Sequence, residues 1–448
     1  MRDSDIRVRS ISTRTERIGY RTPIKFGGRV VTDAVIVEAC AEVETRDGRR
    51  GSGLGSMPMG NAWAWPSARC TGEQTLRAML AMADAVATGV SERAEFDHPI
   101  EITHAMASSY DALAERAVTE AQAPESMPKL AQLVAASPIE AAIHDAHGKT
   151  LGVNSYRLLG PDHWSADLGR YLDDSFRGEH LDRYTLVDPK PSMPLYHLVG
   201  ALDPLDVCDA ERPVGDGLPE TLAEWIVFNG LTHLKIKLAG DDLEWDLARV
   251  SRVERVASET HARHGTAPWC YSLDFNERCA NVDYVLEFLV RLESESPDAY
   301  RRTQYLEQPT HRDLRAHREN RMHRAAKLKP VVIDESLVDY ESLLLAREQG
   351  YSGVALKACK GHAEALLMGA AAQKFGMFLC VQDLTCVGPS FLHSASLAAR
   401  LPTIRAIEGN GRQYCPAGNR GWEERYPSMF RIGDGRVGTH CLTGPGLY

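Results

Sequence analysis

From residue 193 onward the chain settles into a rhythm that few architectures can satisfy. Short apolar runs alternate with stripes of helical period. Strand signals fall at 195–199, 233–238, 269–274, 304–307, 331–334, 353–357, 377–381 and 404–408. Among the helical stripes between them are Leu222/Trp225/Ile226, Leu247/Val250/Val253, Val282/Val285/Leu286/Leu289 and Leu366/Leu367/Ala370/Ala371. Such alternation means parallel strands joined by crossover helices. About eight units in ~215 residues favour a closed barrel over an open, doubly wound sheet. No Gly-x-Gly-x-x-Gly follows the first strand, which weighs against a dinucleotide-binding sheet.

The segment before this rhythm reads as mixed α+β. Val35, Val37, Ala39, Ala41 and Val43 alternate as in a strand, and Asp47-Gly48 reads as a turn into a partner strand. Residues 53–67, with Met57, Met59, Trp63 and Trp65, read as a loop. Helical periodicity follows from Glu73, from Ile100 and from Lys129, and residues 137–151 read as a helix ending near Gly152. Residues 161–192 are polar and Pro-rich and read as an insertion or irregular loop. The expected architecture is an α/β protein, a modified TIM barrel of (β/α)7β type over residues 141–411. An α+β capping domain over residues 1–140, completed by the tail 412–448, sits on it.

Composition narrows the function classes. The chain has 448 residues, with 51 Lys and Arg against 61 Asp and Glu, a formal net charge of −10. That is the wrong sign for binding nucleic acid or an anionic membrane through bulk charge. No apolar run reaches the ~18 residues of a membrane span, and the N-terminus carries no apolar signal-like region. The ten cysteines form no CxxC or zinc-type spacing, which suits free thiols in a reducing cytoplasm. The expected partner is a small molecule, and a closed homo-oligomer is expected on general grounds.

Chemistry in a parallel barrel gathers at the C-terminal ends of the strands. Five successive strands here end in ionisable groups: Lys235-Ile236-Lys237, Asp274-Phe275-Asn276, Glu307-Gln308-Pro309, Asp334-Glu335-Ser336 and Lys357. Three carboxylates pushed together would repel and raise one another's pKa, and a divalent cation removes that problem. Oxygen-only donors suit Mg2+, or Mn2+. Lys235 and Lys237 share a strand face, and Lys357 lies four strands away, on the opposite side of an eight-strand mouth. An ammonium buried beside another ammonium and a metal is expected to have a depressed pKa, as a general base requires.

The ordered set Lys-x-Lys, Asp-x-Asn, Glu-Gln-Pro, Asp-Glu-Ser and Lys resembles the enolase superfamily, in its muconate-lactonizing-enzyme/mandelate-racemase branch. The helix around residues 143–149, the segment Arg157-Leu158-Leu159-Gly160 and the terminal Pro445-Gly446-Leu447 are also similar to that family. The resemblance implies that Asp274, Glu307 and Asp334 ligate Mg2+ and that Lys237 and Lys357 are an opposed acid/base pair. It further implies that Lys235 tunes Lys237, and that Asn276 and Glu335 support these groups from behind. The implied reaction removes the proton α to the carboxylate of a small acid through a metal-stabilised enediolate. That a Lys or His base works beside Mg2+ in such sites is a known pattern of the superfamily. Cap loops 22–29 and 56–65 are implied to select the substrate, and Lys25, Trp63, Gln382, Asp383, Glu408 and Asn410 are expected to contact it.

Several positions depart from the pattern. Gly361-His362-Ala363 stands where many members have Gly-Gly. Strand 7 ends Gln382-Asp383-Leu384-Thr385 with no histidine, and His362 and His393 lie on helical stretches, where packing roles are expected. Strand 8 ends Glu408-Gly409-Asn410 rather than the Asp-x-Asp that resembles dipeptide epimerases. Dehydration or elimination, racemisation or epimerisation, and cycloisomerisation all remain open, with elimination favoured by the polar groups at the mouth. The competing readings are a metal-stabilised barrel that binds a carboxylate without turnover and a Schiff-base barrel using Lys357.

Overall fold

The computed structural model describes residues 2–26, 29–210, 213–265 and 268–448. Its first layer is an antiparallel sheet of β1 (Ile6–Phe26), β2 (Arg29–Thr45) and β3 (Arg50–Pro58), in the order β1-β2-β3. β2 and β3 join at the expected Asp47-Gly48 turn, where Gly48 takes φ 89°. β1 carries too few apolar residues to announce itself in the sequence. Its place is set by register against β2 and by cross-strand ion pairs, Arg7 with Glu44 at 3.1 Å and Arg17 with Asp33 at 2.9 Å.

The segment expected as a loop from residue 53 stays in strand to Pro58. Its glycines are there for contact rather than for turning. A Cβ on Gly55 would lie 1.9 Å from the carbonyl oxygen of Pro138, and one on Gly53 would lie 2.1 Å from the backbone nitrogen of Ala146. β3 therefore rides directly on the backbone of the helix Lys129–Leu151, which is buried from Leu130 to Gly148. This helix is one continuous element across the expected boundary at residues 140/141. Pro138 removes the amide that would bond Val134, and the Ser137 hydroxyl donates to that carbonyl instead, at 2.9 Å. Gly152, at φ 71°, closes the helix.

The second layer is an eight-strand parallel barrel: β4 (Met193–Val199), β5 (His233–Lys237), β6 (Cys270–Asp274), β7 (Thr303–Glu307), β8 (Val331–Ile333), β9 (Gly353–Leu356), β10 (Phe378–Val381) and β11 (Ile407–Glu408). Neighbours pair in sequence order, and β11 pairs with β4 to close the ring. β12 (Arg436–Val437) adds an antiparallel pair to β4. Crossover helices cover the outside, except that the β7–β8 connection carries only a four-residue turn of helix, His323–Ala326.

Residues 161–192 form no long element but are not loose. Three short 3-10 turns bury Leu168, Phe176 and Leu181, and Trp164 is buried with them. All ten cysteines are unpaired. Among the described residues no helix is long and apolar enough to cross a membrane.

The seam between sheet and helix can be tested with two glycines. Gly55→Ala drives a methyl into backbone and is expected to destabilise the protein by about 1–3 kcal/mol or more. Gly89→Ala, in the helix Gly72–Ser91 with nothing within 4 Å of the new methyl, is expected to gain up to about 1 kcal/mol. Urea midpoints read both, and a neutral Gly55→Ala would refute the seam.

Candidate active site

The barrel interior is layered by strand alternation. Tyr196, Tyr305, Val332, Ala355, Cys380 and Ala406 form an inner cluster. Two residues further along five of those strands, on the same face, stand Glu307, Asp334, Lys357, Gln382 and Glu408. Lys237 and Asp274 are register partners, as are Asp274 and Glu307, so these three stand abreast. Leu234 and Ile236 pack outward in the core, which turns Lys235 and Lys237 inward. Lys235, Lys237, Asp274, Glu307, Asp334 and Lys357 are each at most 6 % exposed.

Every one of these charges has a partner. Lys235 Nζ lies 2.8 Å from Glu307 Oε1, 2.9 Å from Glu408 Oε2 and 3.1 Å from Asp274 Oδ2. Lys237 Nζ donates to Asp274 Oδ2 at 2.5 Å and to Asn276 Oδ1 at 2.9 Å. Lys357 Nζ lies 2.8 Å from Asp334 Oδ2. Lys360, not singled out in the sequence, lies 3.0 Å from the other oxygen of Asp334. Gln382 Nε2 donates to Glu307 Oε2.

Burial and neighbouring charge act in opposite directions on Lys235 and Lys357. Burial works against the ammonium of Lys235, but Glu307, Glu408 and Asp274 outweigh it and hold its pKa well above the usual lysine value. Burial likewise opposes Lys357, and Asp334 overcomes it, so its pKa is raised. The carboxylates divide. Asp274, despite burial, is held far below its usual range by Lys237 and Lys235, and Asp334 falls to about 2 beside Lys357 and Lys360. Burial and the charge of Asp274 push Glu307 upward, and burial and the charge of Asp334 push Glu335 up to about 7.

The sheet layer reaches into this cluster through one side chain. Gly60, at φ 49° against Leu384, opens the four-residue helix Asn61–Ala64. That helix presents Trp63, whose indole N–H donates to Glu335 Oε1 at 2.8 Å. The Lys357 ammonium sits 4.3 Å from the centroid of the Trp63 ring. Arg312, paired with Glu277, donates to the carbonyl of Trp63 at 3.1 Å and so fixes the loop from outside.

The other expected contact residues divide by what they already hold. Asp383 accepts from the amides of Leu384, Cys386 and Asn410, so both its oxygens are engaged in joining the β10 and β11 loops. Asn410 Nδ2 donates to Glu408 Oε1 at 3.2 Å. Lys25 lines a cleft of about 410 Å³ together with Trp245, Arg278 and Asn276, the last of which bonds Lys237. Of the expected loop 22–29, Gly27, Gly28 and the side chain of Phe26 lie outside the described residues. His362 and His393 are buried against each other, Nδ1 to Nε2 2.9 Å, as packing residues.

A family model, Enolase C-terminal domain-like, matches residues 218–447, just over half of the chain. The chain belongs to the enolase superfamily. Solved structures of similar fold are known. The L-Ala-D/L-Glu epimerase of Bacillus subtilis superposes with a TM-score of 0.64 at 16% identity, over 98% of each chain. Muconate lactonizing enzyme of Pseudomonas fluorescens gives 0.59 at 19%, over 98% of this chain and 95% of that one. A Bradyrhizobium enolase, complexed with magnesium and mandelic acid, gives 0.61 at 15%, over 99% and 95%. At these identities the likeness is one of fold. No curated protein sequence is significantly similar to the chain.

Sequence reasoning overlooked Lys360 and Arg312. Lys360 was legible as a second lysine one 3-10 turn after Lys357, whereas Arg312 lies far from Trp63 in sequence and nothing there could link them. The Trp63 contact is directly testable. Trp63→Phe keeps an aromatic ring and removes the donor to Glu335, whose other oxygen has no hydrogen-bond partner. The loss is expected to be about 1–3 kcal/mol in urea unfolding; an unchanged midpoint would remove this bond from the account.

Proposed function

We propose that the chain is a Mg2+-dependent isomerase that moves the proton α to the carboxylate of a small acid. The observation that carries this reading is the placing of Lys237 and Lys357. They stand at the C-terminal ends of β5 and β9, four apart in a closed ring of eight, with Asp274, Glu307 and Asp334 at the ends of the strands between.

The residues suit a hard divalent cation in kind. The donors of Asp274, Glu307 and Asp334 are oxygen only, as such a cation prefers. Among the described residues no three His, Cys, Asp or Glu side chains are arranged to hold a metal as they stand. Their oxygens are turned onto the lysines instead. Asp274, Glu307 and Asp334 would hold the cation. When bound, it supplies positive charge that offsets these carboxylates' hold on the lysines and the negative charge developing on the substrate carboxylate.

The chain's own residues then divide the work. One lysine takes the α-proton from one face, and the other returns a proton from the opposite face, which inverts the centre. Asn276 orients the Lys237 ammonium through its 2.9 Å hydrogen bond. Lys235 places a fixed positive charge beside Glu307 and Asp274, where the enediolate charge gathers. Trp63 excludes water above Lys357. Elimination or cycloisomerisation is the second reading, with one lysine as base and the other as a cation. Of the polar residues that favoured elimination, Asp383 is held by backbone amides and Gln382 Nε2 by Glu307, while Gln382 Oε1 and Asn410 Oδ1 have no hydrogen-bond partner.

The test is to incubate single enantiomers of candidate carboxylic acids in D2O with Mg2+ and follow the α-proton. Exchange with inversion is expected. EDTA should stop it and Mg2+ restore it, and Lys237→Ala and Lys357→Ala should each lower turnover by about 10²–10⁴-fold. Loss of water or ring closure would favour the second reading. Binding with no exchange under any divalent metal would leave a carboxylate-binding barrel.

A further inference from the structure

Asp334 is the one site carboxylate held by two lysines from a single turn. Lys357 precedes the 3-10 turn Ala358–Lys360, and the Lys360 amide donates to the Lys357 carbonyl at 3.0 Å. In a 3-10 turn residues i and i+3 eclipse, so both side chains leave on the same side. Both reach Asp334: Lys357 at Oδ2, 2.8 Å, and Lys360 at Oδ1, 3.0 Å. Lys360 also donates to the main-chain carbonyl of Asp334. The same Trp63 ring lies over both ammoniums, at 4.3 and 5.8 Å. Gly361 ends the turn at φ 102°, where a Cβ would meet Glu140 Oε2 at 2.5 Å. The turn is therefore fixed from behind, and its two lysines are fixed with it.

The two contacts differ in kind. Lys357 holds only a side-chain oxygen of Asp334, whereas Lys360 holds a side-chain oxygen and the backbone. If Lys357 is to reach a substrate it must leave Asp334, and the Lys360 contacts are the ones that remain. We propose that Lys360 is a positioning residue, whose two contacts hold Asp334 in place while Lys357 moves to the substrate. This rests on the role of Lys357 proposed above.

Two experiments separate this inference from that reading. The first is a stability cycle on the metal-free protein with Lys357→Met, Lys360→Met and the double variant. Each single variant leaves one ammonium on Asp334, so each should lower Tm modestly. The double variant should lower it by more than the sum, and adding Asp334→Asn should recover most of the excess. Additive losses, or no recovery with Asn, would overturn the joint hold of Lys357 and Lys360 on Asp334. This cycle needs no substrate, so it decides even where no acid exchanges its α-proton. The second uses an acid found by the exchange assay. Lys360→Met should lower kcat by about 10- to 100-fold, as supporting partners of a metal site do, with KM within about twofold. Lys360→Arg should regain most of it. An unchanged kcat, a change confined to KM, or no rescue by Arg would overturn the positioning role.

Discussion

Four ammoniums and the carboxylates they face share a space almost closed to water, and that balance is what the barrel mouth depends on. Lys235 alone touches Glu307, Glu408 and Asp274, which come from three different strands. A buried charge costs several kcal/mol unless it is matched by partners of good geometry. The match exists only when the ring is closed, because Glu408 stands on the last strand and Lys235 on the second. Closure of the sheet and neutrality of the site are thus one condition. The same array raises the pKa of Lys235 and of Lys357, because the surrounding carboxylates outweigh burial.

The antiparallel sheet matters to the site through the helix Lys129–Leu151 and the short helix that carries Trp63. Glycines on β3 let strand and helix backbones touch, which sets the sheet against the barrel without intervening side chains. From that platform Trp63 reaches Glu335 and covers Lys357, and Arg312 holds the carbonyl of Trp63 from the barrel side. Trp63 thus ties the cap to the charged cluster at the barrel mouth.

Much of this was legible along the chain. The barrel strands announce themselves because each is a short apolar run between helices of clear period, and the site residues follow because the strand period of two carries the inward face to the strand end. Glu307 after Tyr305 and Lys357 after Ala355 are examples. β1 was not legible, because its polar sequence becomes a strand only by pairing with β2. The glycines of β3 imitate a loop, since a close backbone approach and a turn call for the same residue. That three backbone amides donate to Asp383 was not legible, because they come from two separate loops.

By itself the sequence determined the barrel, the order of charges around its mouth and the opposition of Lys237 to Lys357, for these depend on local periodicity and strand count. Tertiary structure alone decided which charge neutralises which. Coulomb energy and desolvation depend on distances between residues far apart in the chain, such as Lys235 and Glu408 or Trp63 and Glu335. The residue types at the mouth are therefore a property of the sequence, while their protonation and their partners are a property of the fold.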